Sequence, residues 1–172
     1  MNRMSFVFIG MPGSGKTEIG HRVAEKLGLS FSDLDKDIAL KTGRSPSEII
    51  IDEGESAFRK IETRMLSYYE NHEGLLSTGG GIVTVPENLQ LLRKIGKIVW
   101  IRRDIEDIAN SVSYSKDRPL LHDRSSVDTL WESRKDLYSS WADIVFDNSG
   151  KMSEAATHLA SLLRANISLG NK

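Results

Sequence analysis

Residues 8–20 read FIGMPGSGKTEIG and grow out of the apolar run Phe6-Val7-Phe8-Ile9. Gly10, Pro12, Gly13, Gly15 and Lys16 crowd into the short span between that run, which reads as a strand, and a segment with helical period. From Lys16 to Leu27, Ile19, Val23 and Leu27 fall one turn apart, and Gly28 supplies a stop. Gly10–Thr17 fits G-x-x-x-x-G-K-[ST]. Glycines in such a loop let backbone N–H groups converge on a phosphate at the positive end of a helix. Lys16 would bridge the β- and γ-phosphates, and the Thr17 hydroxyl would ligate Mg²⁺. The bland alternative is a glycine turn with a surface lysine, but the strand–loop–helix setting is the one the motif requires. The stretch therefore points to a nucleoside triphosphate and leaves the acceptor of its phosphate open.

The rest of the chain repeats this alternation. Leu29–Asp33 reads as a second strand, and Ser45-Pro46-Ser47-Glu48 as a capping box with proline at the first helical position. A long helical stretch runs from about Glu55 to His72, followed by a strand at Gly74–Thr78 closed by Gly79-Gly80-Gly81. Pro86 opens a helix that ends near Gly96; Lys97–Arg102 is a strand and Asp104–Val112 a helix. The polar stretch from Ser113 to Arg124 has no clear period. A helix from about Val127 to Trp141, a strand Asp143–Asp147 and a helix from Ser153 to about Ile167 complete the chain. Strand–helix alternation predicts an α/β fold: a mostly parallel sheet with helices on both faces.

At 172 residues, 39% hydrophobic and 27% charged, the chain has the size and composition of one globular domain. A net charge of −1 without a basic tract argues against a nucleic-acid partner. The absence of cysteine excludes a disulfide framework and thiolate metal sites. His21, His72, His122 and His158 are scattered without ligand spacing. No stretch reads as a signal peptide or a membrane span, so a cytoplasmic enzyme or binding protein without a membrane partner is expected. No exposed apolar stripe stands out, and a monomer is the default.

Asp33-Leu34-Asp35 closes the second strand. Two carboxylates two residues apart point to opposite sides of a strand, but loop geometry could turn both toward the phosphates. There they could support Mg²⁺ or orient an attacking hydroxyl. The alternative is a pair of turn-forming aspartates, one capping the next helix. The third strand ends "LLST", without the acid that many phosphate-loop enzymes use near Mg²⁺, so Asp33 is the nearest candidate. The Asn-Lys-x-Asp pattern of guanine recognition is also missing.

Taken together, "GMPGSGKT", "DLD", "GESAFRKIE", "LSTGGGIV", "RPLL" and "RKDLY" occur in an order and spacing that resemble the shikimate kinase family over nearly the whole chain. The resemblance implies a three-layer α/β/α phosphate-loop kinase, 1–172 as one domain, with five parallel strands in order 2-3-1-4-5. It implies acceptor-binding helices at about 35–72 and a lid at about 113–124. The implied reaction is phosphoryl transfer from ATP to the 3-hydroxyl of shikimate, in the pathway to aromatic amino acids, with ATP as co-substrate and Mg²⁺ as cofactor. The implied catalytic residues are Lys16, Asp35 and Arg118. Gly13, Ser14, Gly15, Lys16, Thr17, Glu18, Arg118 and, loosely, Lys151 in "DNSGKMS" match the nucleotide side. Asp35, Phe58, Arg59, Gly79, Gly80, Gly81 and Arg134 match the acceptor side, with the two arginines holding the carboxylate and the Gly81 N–H reaching the ring. Thr17 and Asp33 match the metal-supporting pair.

Each residue has a plainer reading. Arg59 is spaced to pair with Glu55 and Glu62 on a solvated helix, and Arg134 with Asp128 or Glu132. Gly79–Gly81 could be a strand exit, and Arg118 a surface arginine before a proline. The chain also departs from the family at Ser111, where many relatives carry an arginine that stacks on adenine; Tyr114, Arg102 or Arg103 could substitute. Gluconate kinase, another small-molecule kinase of the same fold, shares the phosphate loop alone. A nucleotide-binding regulatory module without catalysis is the reading from a different class.

Overall fold

The structure is a computed structural model that describes residues 5–112 and 119–169. Five strands form one parallel sheet in the order β2-β3-β1-β4-β5. They are β1 (Ser5–Ile9), β2 (Phe31–Asp33), β3 (Gly74–Ser77), β4 (Lys97–Arg102) and β5 (Ile144–Asp147). Among the described residues eight α-helices accompany them: α1 (Lys16–Leu27), α2 (Leu34–Thr42), α3 (Pro46–Glu53), α4 (Glu55–Leu66), α5 (Asn88–Ile95), α6 (Ile105–Ser111), α7 (Arg124–Trp141) and α8 (Met152–Leu169). Fold class and strand order are those expected from the sequence.

The two faces of the sheet separate by the period-two rule of a strand. Val7 and Ile9 of β1, Leu76 of β3, and Ile98 and Trp100 of β4 face one core, against helices α2–α7. Phe6, Phe8, Leu75, Val99 and Ile101 face the other, against α1 and α8. Each central strand is thus buried on both sides, which is why these runs read as continuously apolar.

Several boundaries move, each for a local reason. The second strand begins at Phe31 rather than Leu29, because Leu29 N–H bonds Ala24 O and Gly28 N–H bonds Glu25 O, a Schellman closure of α1. The helix expected to reach His72 ends at Leu66 and tightens into a 3₁₀ turn at Ser67–Tyr69, where Ser67 Oγ bonds Arg64 O. α5 begins at Asn88, after turns in which Asn88 and Leu89 N–H bond Val85 and Pro86 O. α7 begins at Arg124, before Val127, because Asp123 and Ser126 form a capping box.

Candidate active site

The carboxyl ends of β1, β2 and β3 open into a cavity of about 590 Å³, lined in part by Gly13, Lys16, Thr17, Asp33, Asp35, Arg59, Gly79–Gly81 and Arg134. This is where a parallel sheet concentrates its helix N-termini.

On one side lies the phosphate loop. Gly13 and Gly15 adopt positive φ of 82° and 87°, which turn the backbone into α1 without a Cβ clash. The Lys16 ammonium is buried and donates to Gly10 O and Met11 O, both at 2.8 Å. The loop is also held from behind. Asn148, just past β5, donates from Nδ2 to Ser14 O at 2.8 Å, and Arg103, just past β4, donates to Gly13 O at 3.1 Å.

Asp33 and Asp35 do not alternate across a strand. Asp33 is the N-cap of α2, its Oδ1 accepting from Lys36 N, and its Oδ2 accepts from Thr17 Oγ1 at 2.8 Å. Both open readings of Asp33 therefore hold together: it caps a helix and it faces the phosphate loop. Asp35 lies in the first turn of α2, so the helical rise carries its carboxylate into the same cavity. There Asp35 Oδ1 is buried without a partner. Burial first, and Asp33 next, push its carboxyl above the usual range, against the pull of Lys16 and Arg59.

The far side carries the arginines. Arg59 of α4 donates from Nε and Nη2 to Glu55 Oε1, at 3.1 and 2.7 Å, and from Nη1 to Glu62 Oε2. Arg134 of α7 brings Nη2 to 3.7 Å from the same Glu55 oxygen. Both guanidiniums are buried, Arg134 to 3% exposure, so neither makes the solvated intrahelical pair that spacing alone allows. One carboxylate held between two forked cations is the arrangement that a substrate carboxylate would require. Glu62, fully buried, is a residue that sequence reading had placed only as a helix partner. Burial pushes its carboxyl up to about 7 despite Arg59, and its Oε1 has no partner.

The triple glycine joins the two sides, and each member admits a different neighbour. A Cβ on Gly79 would lie 2.9 Å from Glu62 Oε1 and 3.1 Å from Asp35 Oδ1. On Gly80 it would lie 2.5 Å from Pro12 Cδ, and on Gly81 2.0 Å from Arg59 Nη2. No side chain fits at any of the three without moving the acids, the phosphate loop or the arginine.

Phe58 is buried and lines the cavity; Pro119–Leu121 also line it, as do Ser45, Pro46 and Ser47 at the start of α3, within the span expected on the acceptor side but not singled out there. Ser14 is fully buried in the loop and does not line the cavity. Glu18 is exposed and bonds Arg22 at 3.1 Å, and Lys151 is exposed 3.9 Å from Glu154; neither lines the cavity. Arg118 and Tyr114 lie outside the described residues, with the first half of the expected lid. Ser111 Oγ bonds back to Ile108 O, while Arg102 pairs with Asp147 and Arg103 with the phosphate loop. Among the described residues no cluster of three or more His, Cys, Asp or Glu could hold a metal ion.

A profile of shikimate kinase matches residues 12–164. The chain belongs to the shikimate kinase family. A shikimate kinase of Enterococcus faecalis is 38% identical over 154 residues, spanning 87% of this chain and 92% of the relative. The solved shikimate kinase of Acinetobacter baumannii in complex with shikimate superposes with a TM-score of 0.89 at 31% identity, over 96% of this chain and 95% of that one. A gluconokinase of Sinorhizobium meliloti superposes with a TM-score of 0.60 at 16% identity, covering 99% of this chain and 98% of its own, and shares the fold alone. Among the described residues no helix is long and apolar enough to cross a membrane.

Proposed function

We propose that the protein is a shikimate kinase, transferring the γ-phosphoryl group of ATP to the 3-hydroxyl of shikimate to give shikimate 3-phosphate and ADP. The observation that carries this reading is one cavity with a phosphate loop at one end, a pair of buried arginines at the other, and Asp35 between them. A substrate must then carry an anionic group at one end and a hydroxyl within reach of the other, as the carboxylate triol shikimate does.

In this reading the backbone N–H groups of Gly13–Thr17 and the Lys16 ammonium bind the phosphates. Arg59 and Arg134 take the acceptor carboxylate in a forked, oriented grip. The Gly81 N–H and Phe58 complete the ring's seat. Asp35 accepts a hydrogen bond from the attacking hydroxyl, orienting an oxygen lone pair toward the phosphorus and receiving the proton as the O–P bond forms. The role the resemblance gives Arg118, which lies outside the described residues, is charge stabilisation on the transferring group, and that of the 113–124 segment is to keep out water, a competing acceptor. Thr17 and Asp33, hard oxygen donors 2.8 Å apart at the mouth of the loop, suit a Mg²⁺ ion brought in with the nucleotide. Bound there, Mg²⁺ would neutralise charge on the β- and γ-phosphate oxygens.

The test is ADP release with ATP and Mg²⁺, with shikimate, with gluconate and with neither. Shikimate-dependent release is expected. Release with gluconate alone would refute the acceptor. No acceptor-dependent release from folded, ATP-binding protein would favour the regulatory module.

A further inference from the structure

Arg134 has a role in the proposed reaction, but Tyr138, one turn further along α7 and the last residue of "RKDLY", does not. Tyr138 is fully buried and lies stacked on Trp100, ring centroids 5.8 Å apart at 28°. Its hydroxyl donates to the carbonyl oxygen of Gly80 at 2.5 Å, across 58 residues of sequence. The Arg134 guanidinium approaches the same hydroxyl and favours negative charge on it. Gly80 in turn presses on Pro12 of the phosphate loop and precedes Gly81, whose Cα faces the Arg59 guanidinium. The 3₁₀ turn that follows, Ile82–Thr84, is pinned separately: Asn88 Nδ2 donates to Ile82 O at 2.9 Å, and Thr63 Oγ1 donates to Asn88 Oδ1 at 2.8 Å. Of the groups around the triple glycine, the Tyr138 hydroxyl is one that reaches it from the helix bearing the acceptor arginine.

We infer that Tyr138 is a positioning residue for the acceptor: its hydroxyl fixes the distance between Arg134 and the Gly80–Gly81 corner, so that one substrate meets both at once. This rests on the function proposed above. The Gly80 carbonyl sits in a half-buried corner at the cavity wall, and a hydroxyl carried by a stacked, buried ring gives it a donor at a fixed point in space. Burial pushes the phenol up to about 12, so it remains a donor throughout the working range. The hydrogen bond couples two recognition elements from distant parts of the chain. The Lys16 bonds to Gly10 O and Met11 O, and those from Asn148 and Arg103 to the phosphate loop, do not run through it.

Tyr138→Phe removes one oxygen and keeps the ring on Trp100. With ATP saturating, the variant should show a KM for shikimate raised roughly tenfold, from the unsatisfied carbonyl and the loosened corner. With shikimate saturating, the KM for ATP should stay within about twofold of wild type. Calorimetric titration of shikimate into nucleotide-free protein should give a matching loss of affinity, so the effect does not depend on turnover. Unchanged shikimate KM and affinity would overturn the inference, and so would a parallel rise in both KM values, which marks general loosening. Should Tyr138→Phe not fold, Tyr138→Trp, which keeps a buried ring and a donor at a displaced point, should show the same acceptor-selective defect; a wild-type profile from it would overturn the inference too. Wild-type protein assayed in parallel separates the two levels: no shikimate-dependent ADP release from it refutes the proposed function and this inference together, whereas an active wild type with an unaltered Tyr138→Phe refutes this inference alone.

Discussion

Arg59→Ala should destabilise the protein in a way that depends on pH, because Arg59 is the cation that bonds the buried Glu62 carboxylate, with Arg134 adding a weaker attraction. Glu62 is fully buried, and its carboxyl is pushed from 4.5 up to about 7, burial outweighing the attraction of Arg59. Without Arg59 both the Coulomb attraction and the hydrogen bond that favour the ionised form disappear, and the native value climbs further. In the unfolded chain Glu62 is ionised above its ordinary value, so between the two values the native state binds the extra proton and stability falls as pH rises. Wild type loses this stability between about pH 4.5 and 7 and is then flat; the variant goes on losing it. The added charge-linked loss is small near pH 7 and grows to on the order of 2–3 kcal/mol at the alkaline end, as expected when an opposite charge is removed from a buried carboxylate. For a domain of this size that is a difference of roughly 5–10 °C in midpoint at the alkaline end. Asp35, which Arg59 also holds down, adds in the same direction.

Thermal unfolding of wild type, Arg59→Ala and Arg59→Ala/Glu62→Gln across pH 6 to about 9.5 measures this directly. The single variant should diverge from wild type as pH rises, and the double variant should recover most of the difference. Acceptor affinity should not recover in either, since a charged hydrogen bond to the substrate, ~1.5–3 kcal/mol, is gone in both. The affinity for ATP should be nearly unchanged. A destabilisation equal at both ends of the pH range, or a double variant with the single variant's slope, would refute the reasoning.

Asp35→Asn should lower turnover by roughly 10²–10⁴ with the fold preserved, as followed by kcat and by unfolding midpoint; near-normal turnover would remove Asp35 from the catalytic list. Thr17→Val removes the hydroxyl that Asp33 holds at 2.8 Å, so the Mg²⁺ concentration for half-maximal rate should rise about tenfold while shikimate affinity stays put, read from a Mg²⁺ titration at fixed ATP. Gly80→Ala and Gly81→Ala should differ in kind. The first drives a Cβ to within 2.9 Å of Pro12 N, a backbone atom that moves only with the loop, and should cut kcat/KM for both substrates at least about tenfold. The second meets the tip of the Arg59 side chain and should weaken the acceptor selectively.

The two ends of the cavity were unequally legible in the sequence, and the reason is how each is built. The phosphate end is nearly local: the Gly10–Thr17 loop, the strand before it and the helix after it are contiguous, so spacing alone places Lys16 and Thr17. Asp33 was legible as a neighbour but not its orientation, because one residue decides whether the chain is still a strand or already α2. The acceptor end is assembled from α4, the corner after β3, and α7. Counting along a helix offers Arg134 the partners Asp128 and Glu132; the fold gives it Glu55, on another helix. Glu62 is visible as an i,i+3 partner of Arg59, but nothing in that spacing says that the pair is buried. Asn148 and Tyr138 act through backbone carbonyls 134 and 58 residues away, and a peptide oxygen carries no side-chain signature to search for. The motif therefore names the donor by itself. The acceptor is legible in the sequence only through the combined motifs of the family resemblance; its physical basis appears once the strand order brings Arg59, Gly81 and Arg134 into one wall, and that order follows from the same parallel alternation the phosphate loop begins.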